Sequence, residues 1–152
     1  MVKRLVWTPM AFLMWFAAVR SGHLLGQAPP KQTAQQPAKF EASFNQFRGN
    51  WTIVKRDGAK LQIETAVEAK AKNSTVTPSP EDWQAFWKEM DAINIWKWEK
   101  EYIDKDIVDG QSWNLKFEYR GNKIESSGSN RFPQNFPRYE KALKQLLGKK
   151  AG

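Results

Sequence analysis

Five large apolar side chains, Trp83, Phe86, Trp87, Met90 and Ile93, recur at helical spacing after Ser79, and they limit what the rest of the chain can be. A helix brings residues three and four apart onto one face, so these five form a stripe that needs a broad apolar surface to lie on. The start of the helix is written beside it. Ser79 is the predicted N-cap and Pro80 the first helical residue. Glu81 and Asp82 suit the positive end of the dipole, and Ser79 with Asp82 makes a near capping box.

The receiving surface is read from alternation. Phe40, Ala42 and Phe44 alternate with Glu41, Ser43 and Asn45, a half-buried strand that ends at an Arg48-Gly49-Asn50 turn. Trp51 to Arg56 is β-prone, and Asp57-Gly58 signals a two-residue hairpin. In the run that follows, Leu61, Ile63, Thr65, Val67, Ala69 and Ala71 share one side, with Ala66 the only apolar residue on the other. This hairpin predicts Val54 opposite Leu61 on the core face. Trp51 and Ile53 then fall on the outer face, so either that face is covered or a bulge offsets the register. Asn73 to Pro78 reads as a loop.

Trp113, Leu115, Phe117 and Tyr119 alternate with polar residues, and Gly121-Asn122 is the expected turn onto Lys123 to Ser127. That register sets Tyr119 against Ile124, Phe117 against Ser126, Gly128 across from Leu115, and Glu118 against Glu125, a mild penalty. A last helix begins at Asn135 or Phe136, since Pro137 disfavours the helical region for the residue before it. Phe136, Tyr139, Leu143, Leu146 and Leu147 form its stripe, and Gly148 sits where a C′ glycine belongs. The expected class is α+β: an antiparallel sheet of about five to six strands, in meander and hairpins, packed by two amphipathic helices.

Met1 to Arg4 is basic and Leu5 to Val19 is a 15-residue apolar run, short for a membrane span and suited to a signal peptide. Residues 1–28 are therefore read as a signal peptide or an uncleaved anchor, and either places the domain outside the cytoplasm. Residues 29–38 make a Pro/Gln spacer, 39–148 a single domain and 149–152 a tail. The chain has no cysteine, and its one histidine, His23, lies in the leader. The mature part thus lacks the usual general base, the usual nucleophile–base pairs and the commonest transition-metal ligands. No cofactor or metal is expected.

The residues Trp96, Trp98, Tyr102, Asp109, Gly110, Trp113, Leu115, Gly128, Ser129, Asn130, Phe132, Pro133 and Phe136 spell W-x-W-x3-Y, D-G-x-x-W-x-L and G-S-N-x-F-P-x-x-F. This pattern resembles a signature of small exported or lipoprotein-type bacterial proteins, across Trp83 to Leu147. The resemblance implies a fold and a compartment and brings no catalytic residue. No lipobox cysteine is present, unlike in the lipoprotein members.

Three groups are candidate sites. Trp96, Trp98 and Trp113 would form a platform for sugar rings or peptide if exposed, and core if buried. Ser129, Asn130 and Arg131, after Gly128, would form a backbone nest for an anion with help from Lys123, or a turn. Asp104, Asp106 and Asp109 before Gly110 resemble part of a calcium loop but lack the third carboxylate and the terminal Glu, which favours a turn held by Asp109.

The chain carries 24 basic and 16 acidic residues; losing Lys3, Arg4 and Arg20 with the leader leaves 21 against 16, or +5. An exported basic domain meets anionic envelope polymers or another exported protein sooner than nucleic acid, and it meets a membrane only through an uncleaved N-terminus. The expected function is a non-catalytic binding domain of the envelope or the medium. The alternatives are an enzyme that cleaves envelope glycans with carboxylates alone, Asp109 with Glu99 or Glu101, or a purely structural protein.

Overall fold

Two-residue turns organise the sheet. In the computed structural model, residues 36–46, 49–68, 70–107 and 110–148 are described; they fall within one unit, Gln32–Gly152. Four strands, β1 (Lys39–Gln46), β2 (Asn50–Asp57), β3 (Lys60–Val67) and β4 (Lys70–Val76), form a meander. Helix α1 (Pro80–Ala92) follows, then a 3-10 turn at Ile95–Lys97 and the short β5 (Glu101–Ile103). The hairpin of β6 (Ser112–Tyr119) and β7 (Asn122–Ser129) leads to α2 (Phe136–Leu146).

The class is α+β, with two helices against one sheet, but the sheet is larger and less uniform than expected. Seven strands run in the order β4-β3-β2-β1-β6-β7-β5. Every pairing is antiparallel except β5 with β7. The parallel pair has a geometric cause. β5 and β6 run in opposite directions with β7 between them, so a β7 antiparallel to β6 must run parallel to β5.

The additional meander strand comes from splitting the long alternating run. β3 ends at Val67, the chain turns through Glu68 at φ 50, and the supposed loop Asn73–Val76 is part of β4. No glycine or proline marks this turn. The Asn50 Oδ1 accepts the Glu68 backbone N–H at 3.3 Å and helps hold it. The trace in sequence is the phase break at Ala66, which is 4% exposed while Val67 is 59% exposed.

The β2–β3 and β6–β7 hairpins both slide by two residues from the expected register. Gly58, with φ 60, opens a Gly58-Ala59 loop, so Val54 pairs with Ile63 rather than Leu61. A positive φ at the first loop position alone is the type II′ pattern. Between β6 and β7 the loop is Arg120-Gly121, both at positive φ (48 and 81), the type I′ pattern. Phe117 therefore faces Ile124, Tyr119 faces Asn122 and Trp113 faces Gly128. The like-charged Glu118–Glu125 pair disappears. Lys123 Nζ lies 3.1 Å from Glu118 and Lys116 Nζ 2.7 Å from Glu125. The half-exposed Lys116 is raised and Glu125 lowered in pKa, each mainly by its hydrogen bond to the other. A shift of two leaves every side chain on its face, which is why the core residues survive the change.

The core lies between the sheet and the helices. Ser79 caps α1 with the full capping box: its Oγ accepts the Asp82 N–H at 3.1 Å, and Asp82 accepts the Ser79 N–H at 2.8 Å. Trp83, Phe86, Trp87, Met90 and Ile93 are all buried, against Phe40, Val54, Leu61, Phe117 and their neighbours. Trp87 stacks on Tyr119 at 4.2 Å and Phe40 on Phe117 at 4.5 Å. On α2, Phe136, Tyr139, Ala142, Leu143 and Leu146 are buried. Asn135 is the N-cap, without a side-chain bond, and Gly148 takes its C′ place at φ 70. Arg138 Nε donates to Glu89 at 2.7 Å and ties the helices together.

Part of the segment read as spacer belongs to this unit. Pro37 is fully buried, the Ala38 N–H donates to the Glu118 carbonyl at 2.7 Å, and Arg56 reaches Gln36 and Ala38 at 3.4 Å. The leader and residues 29–35 lie outside the described residues, as does the tail.

Tyr139 carries an expected result. Its hydroxyl is buried without a hydrogen-bond partner among the described residues. Burial, aided by the Glu140 charge, pushes its pKa far above the ordinary 10.0. A buried hydroxyl without a partner is unfavourable, so Tyr139→Phe is expected to stabilise the domain by about 1–2 kcal/mol. The sign with pH follows from proton binding. Above about pH 10 the unfolded chain loses the phenol proton and the folded chain keeps it, so stability falls as pH rises, by about 1.4 kcal/mol per unit. Urea titrations between pH 8 and 11 on wild type and Tyr139→Phe check both statements; the variant lacks this contribution to the alkaline slope.

Candidate functional site

The signature residues converge at one end of the β6–β7 hairpin, where they mostly hold one another. Trp113 is 3% exposed and lies directly across from Gly128. Its Nε1 donates to the Arg131 carbonyl at 3.0 Å, over the glycine. A Cβ on Gly128 would run into the indole and stand 2.6 Å from that carbonyl, so only glycine fits beneath the ring. Trp113 is therefore core and not an exposed platform.

Asn130 fastens the next loop. At φ 57 it takes a left-handed conformation that asparagine tolerates. Its Oδ1 accepts the Gln111 N–H at 2.8 Å, its Nδ2 donates to the Ile107 carbonyl at 3.2 Å, and its own N–H donates to the Gln111 carbonyl at 2.8 Å. A Cβ on Gly110 would collide with the Asn130 carboxamide. The Ser129 carbonyl accepts the Asp104 N–H at 2.9 Å. Of the groups an anion nest would use, the Asn130 N–H is already bonded to the Gln111 carbonyl, and Lys123 is at the far end of β7 with Glu118.

Of the calcium-like acids, Asp104 and Asp106 are among the described residues. Asp104 Oδ1 accepts the Asp106 N–H at 3.1 Å, an Asx-type turn. Among the described residues no group of three or more His, Cys, Asp or Glu is placed to hold a metal ion. Asp109 lies outside the described residues, so the turn assigned to it and its proposed pairing with Glu99 or Glu101 lie outside them too. The Glu99 backbone is a structural anchor, its carbonyl accepting Ser126 Oγ at 2.6 Å and its N–H donating to the Tyr102 hydroxyl at 2.9 Å.

Trp96 and Trp98 do not share a side. The 3-10 turn between Asn94, at φ 54, and Trp98 sends them apart. Trp96 stacks on Trp87 at 5.9 Å and its Nε1 donates to Asp91 at 2.8 Å. Trp98 is half-buried beside Trp113, Phe136 and Tyr139, at 6.0, 6.1 and 5.8 Å.

Trp98 and Arg131 both line an open cleft of about 450 Å³, together with Asn94, Lys97, Tyr102 and Phe132. Phe132 is 37% exposed and stacks towards Trp113 at 6.4 Å. Arg131 and Lys97 are exposed, and neither belongs to the ion pairs among the described residues. Asn135 borders the cleft at the start of α2, where the helix presents its positive end. Lys97 went unremarked in sequence because Ile95–Lys97 reads as extended. Its signal was a cation set between two indoles just after an asparagine at a helix end.

The described residues thus define an α+β domain with one polar, positively charged cleft beside a self-bonded motif. No protein-family model matches the chain, and no curated protein matches it in sequence. Among the described residues no helix is long and apolar enough to cross a membrane.

Proposed function

We propose that this chain is an exported, non-catalytic binding domain whose cleft takes an anionic chain, such as an acidic envelope polymer. The observation that carries the reading is a pair of exposed cations, Arg131 and Lys97, outside the ion pairs among the described residues, in a cleft also lined by Trp98, Tyr102 and Phe132. Such a wall covers the apolar parts of a ligand while the two charges meet its acidic groups. The charge of +5 outside the leader favours the encounter. The basic start and apolar run of the leader are what support export.

The test is affinity electrophoresis of the full chain in gels containing polygalacturonate, with dextran as the uncharged control. Retardation is expected in polygalacturonate and is expected to fade as salt rises. Arg131→Ala and Lys97→Ala are each expected to weaken binding about fivefold, since a charge-assisted contact contributes roughly 1 kcal/mol at an exposed site. Equal retardation of wild type and both variants, with unchanged unfolding temperature, would overturn the reading. Export is tested separately by N-terminal sequencing of the protein recovered outside the cytoplasm. A new N-terminus between Gly22 and Pro29 is expected for a cleaved leader and Met1 for an anchor; confinement to the cytosol rules export out.

A further inference from the structure

The outer face of the sheet holds a second feature. Trp51 and Ile53 belong to that face, and the pairing of β2 with both β1 and β3 runs without a bulge through them. Of the two explanations left open by the sequence, a bulge is excluded. Both side chains are half-exposed on the side opposite the helices. An indole is unusual there. The solvated face of an antiparallel sheet is ordinarily polar throughout.

Beside them is a depression of about 460 Å³ lined by Ile53, Lys55, Gln62, Glu64, Asn73 and Thr75. The register explains its shape. Ile53, Glu64 and Asn73 form one cross-strand row and Lys55, Gln62 and Thr75 the next, with Ile53 the apolar floor. Trp51 stands two residues along from Ile53, roughly 7 Å away, in a row whose next two members are only Ala66 and Ala71. Ala66, its neighbour in that row, is only 4% exposed, while the Trp51 ring is half-exposed on the same face. Lys55 and Glu64 offset each other in charge, and neither belongs to the ion pairs among the described residues. Asn73 and Thr75 both donate and accept; Gln62 donates to Asp57 at 2.7 Å and retains an acceptor oxygen.

We infer that this face is a binding site for a neutral oligosaccharide. The charge balance of the depression selects an uncharged ligand. Mixed donors and acceptors match hydroxyl groups, which do both. The Trp51 ring gives the C–H face of a sugar ring a flat apolar surface. The site is distinct from the Arg131–Lys97 cleft in residues, in face and in charge, and does not rest on it.

The experiment is isothermal titration of the full chain with cellohexaose, chitohexaose and laminarihexaose, for wild type, Trp51→Ala, Asn73→Ala and Arg131→Ala. At least one hexasaccharide is expected to bind. Trp51→Ala is expected to weaken it about tenfold, and Asn73→Ala, exposed on the edge strand and neutral for folding, about threefold. Arg131→Ala is expected to leave it unchanged while weakening polygalacturonate, which separates this site from the cleft. Failure of wild type to bind any of the three overturns the inference. So does equal binding by Asn73→Ala and a Trp51→Ala that keeps the wild-type near-ultraviolet spectrum, and so does loss of binding in Arg131→Ala alone.

Discussion

Replacing Gly128 by alanine is expected to lower the stability of the domain by about 3 kcal/mol, measured by urea unfolding. The added methyl enters the space of the Trp113 indole and comes to 2.6 Å from the Arg131 carbonyl, the two groups joined by the 3.0 Å hydrogen bond over that glycine. One neighbour is backbone and cannot swing aside. The other is an indole fixed by Phe136 at 4.8 Å and Trp98 at 6.0 Å. Overpacking and a lost part-buried hydrogen bond therefore act together. The discriminating measurement is a double-mutant cycle with Trp113→Phe, whose smaller ring gives up the clashing atoms. The pair is expected to be more stable than the sum of the single losses by at least about 1 kcal/mol. Strict additivity would mean that Gly128 is required for its backbone and not for the ring above it.

That pair also shows what sequence can and cannot give. G-S-N and D-G-x-x-W stood out as patterns, but only the register explains why they occur together. Trp113 faces Gly128, and Asn130 reaches back to Gly110 and Gln111. Face was legible because a strand alternates with period two and both hairpins moved by two. Partners were not, because they depend on which residue opens the turn. The charges held a clue. Pairing Glu118 with Lys123 and Glu125 with Lys116 is better than pairing the two acids, and it selects Arg120-Gly121 as the loop. The β3–β4 turn had no such clue, since Glu68 carries the positive φ in place of a glycine.

The cleft was half legible for a related reason. Trp98 and Arg131 were marked by type, yet nothing local shows that they line one cleft, 33 residues apart in the chain. Their placement there depends on Asn94, which ends the helical course in a left-handed conformation and lets the 3-10 turn carry Lys97 and Trp98 to the start of α2. A short turn of this kind has no hydrophobic period to read. Lys97 is seen only once the helix end is known.

Trp87→Ala is expected to have the largest effect, a loss of about 3–5 kcal/mol, because it leaves a cavity where aromatic rings converge. Trp87 stacks on Tyr119 at 4.2 Å and on Trp96 at 5.9 Å, and meets Phe86 edge-on at 4.9 Å and Phe117 at 5.9 Å. Its neighbours belong to α1, β6 and the 3-10 turn, so the site cannot close around the gap without moving one of them. A loss of this size is a large part of the total stability of such a domain. Trp87→Phe is expected to cost about half as much, since it keeps a ring against Tyr119 while giving up the reach to Trp96. Trp96 is packed on Trp87 immediately before Lys97 and Trp98 in the same turn. Trp87→Phe is therefore expected to weaken polygalacturonate binding together with stability, whereas Arg131→Ala changes binding alone. Urea unfolding beside affinity electrophoresis measures the two effects on the same samples. A Trp87→Ala protein as stable as wild type would show that the helix does not depend on the sheet for burial, and the packing described for α1 would be wrong.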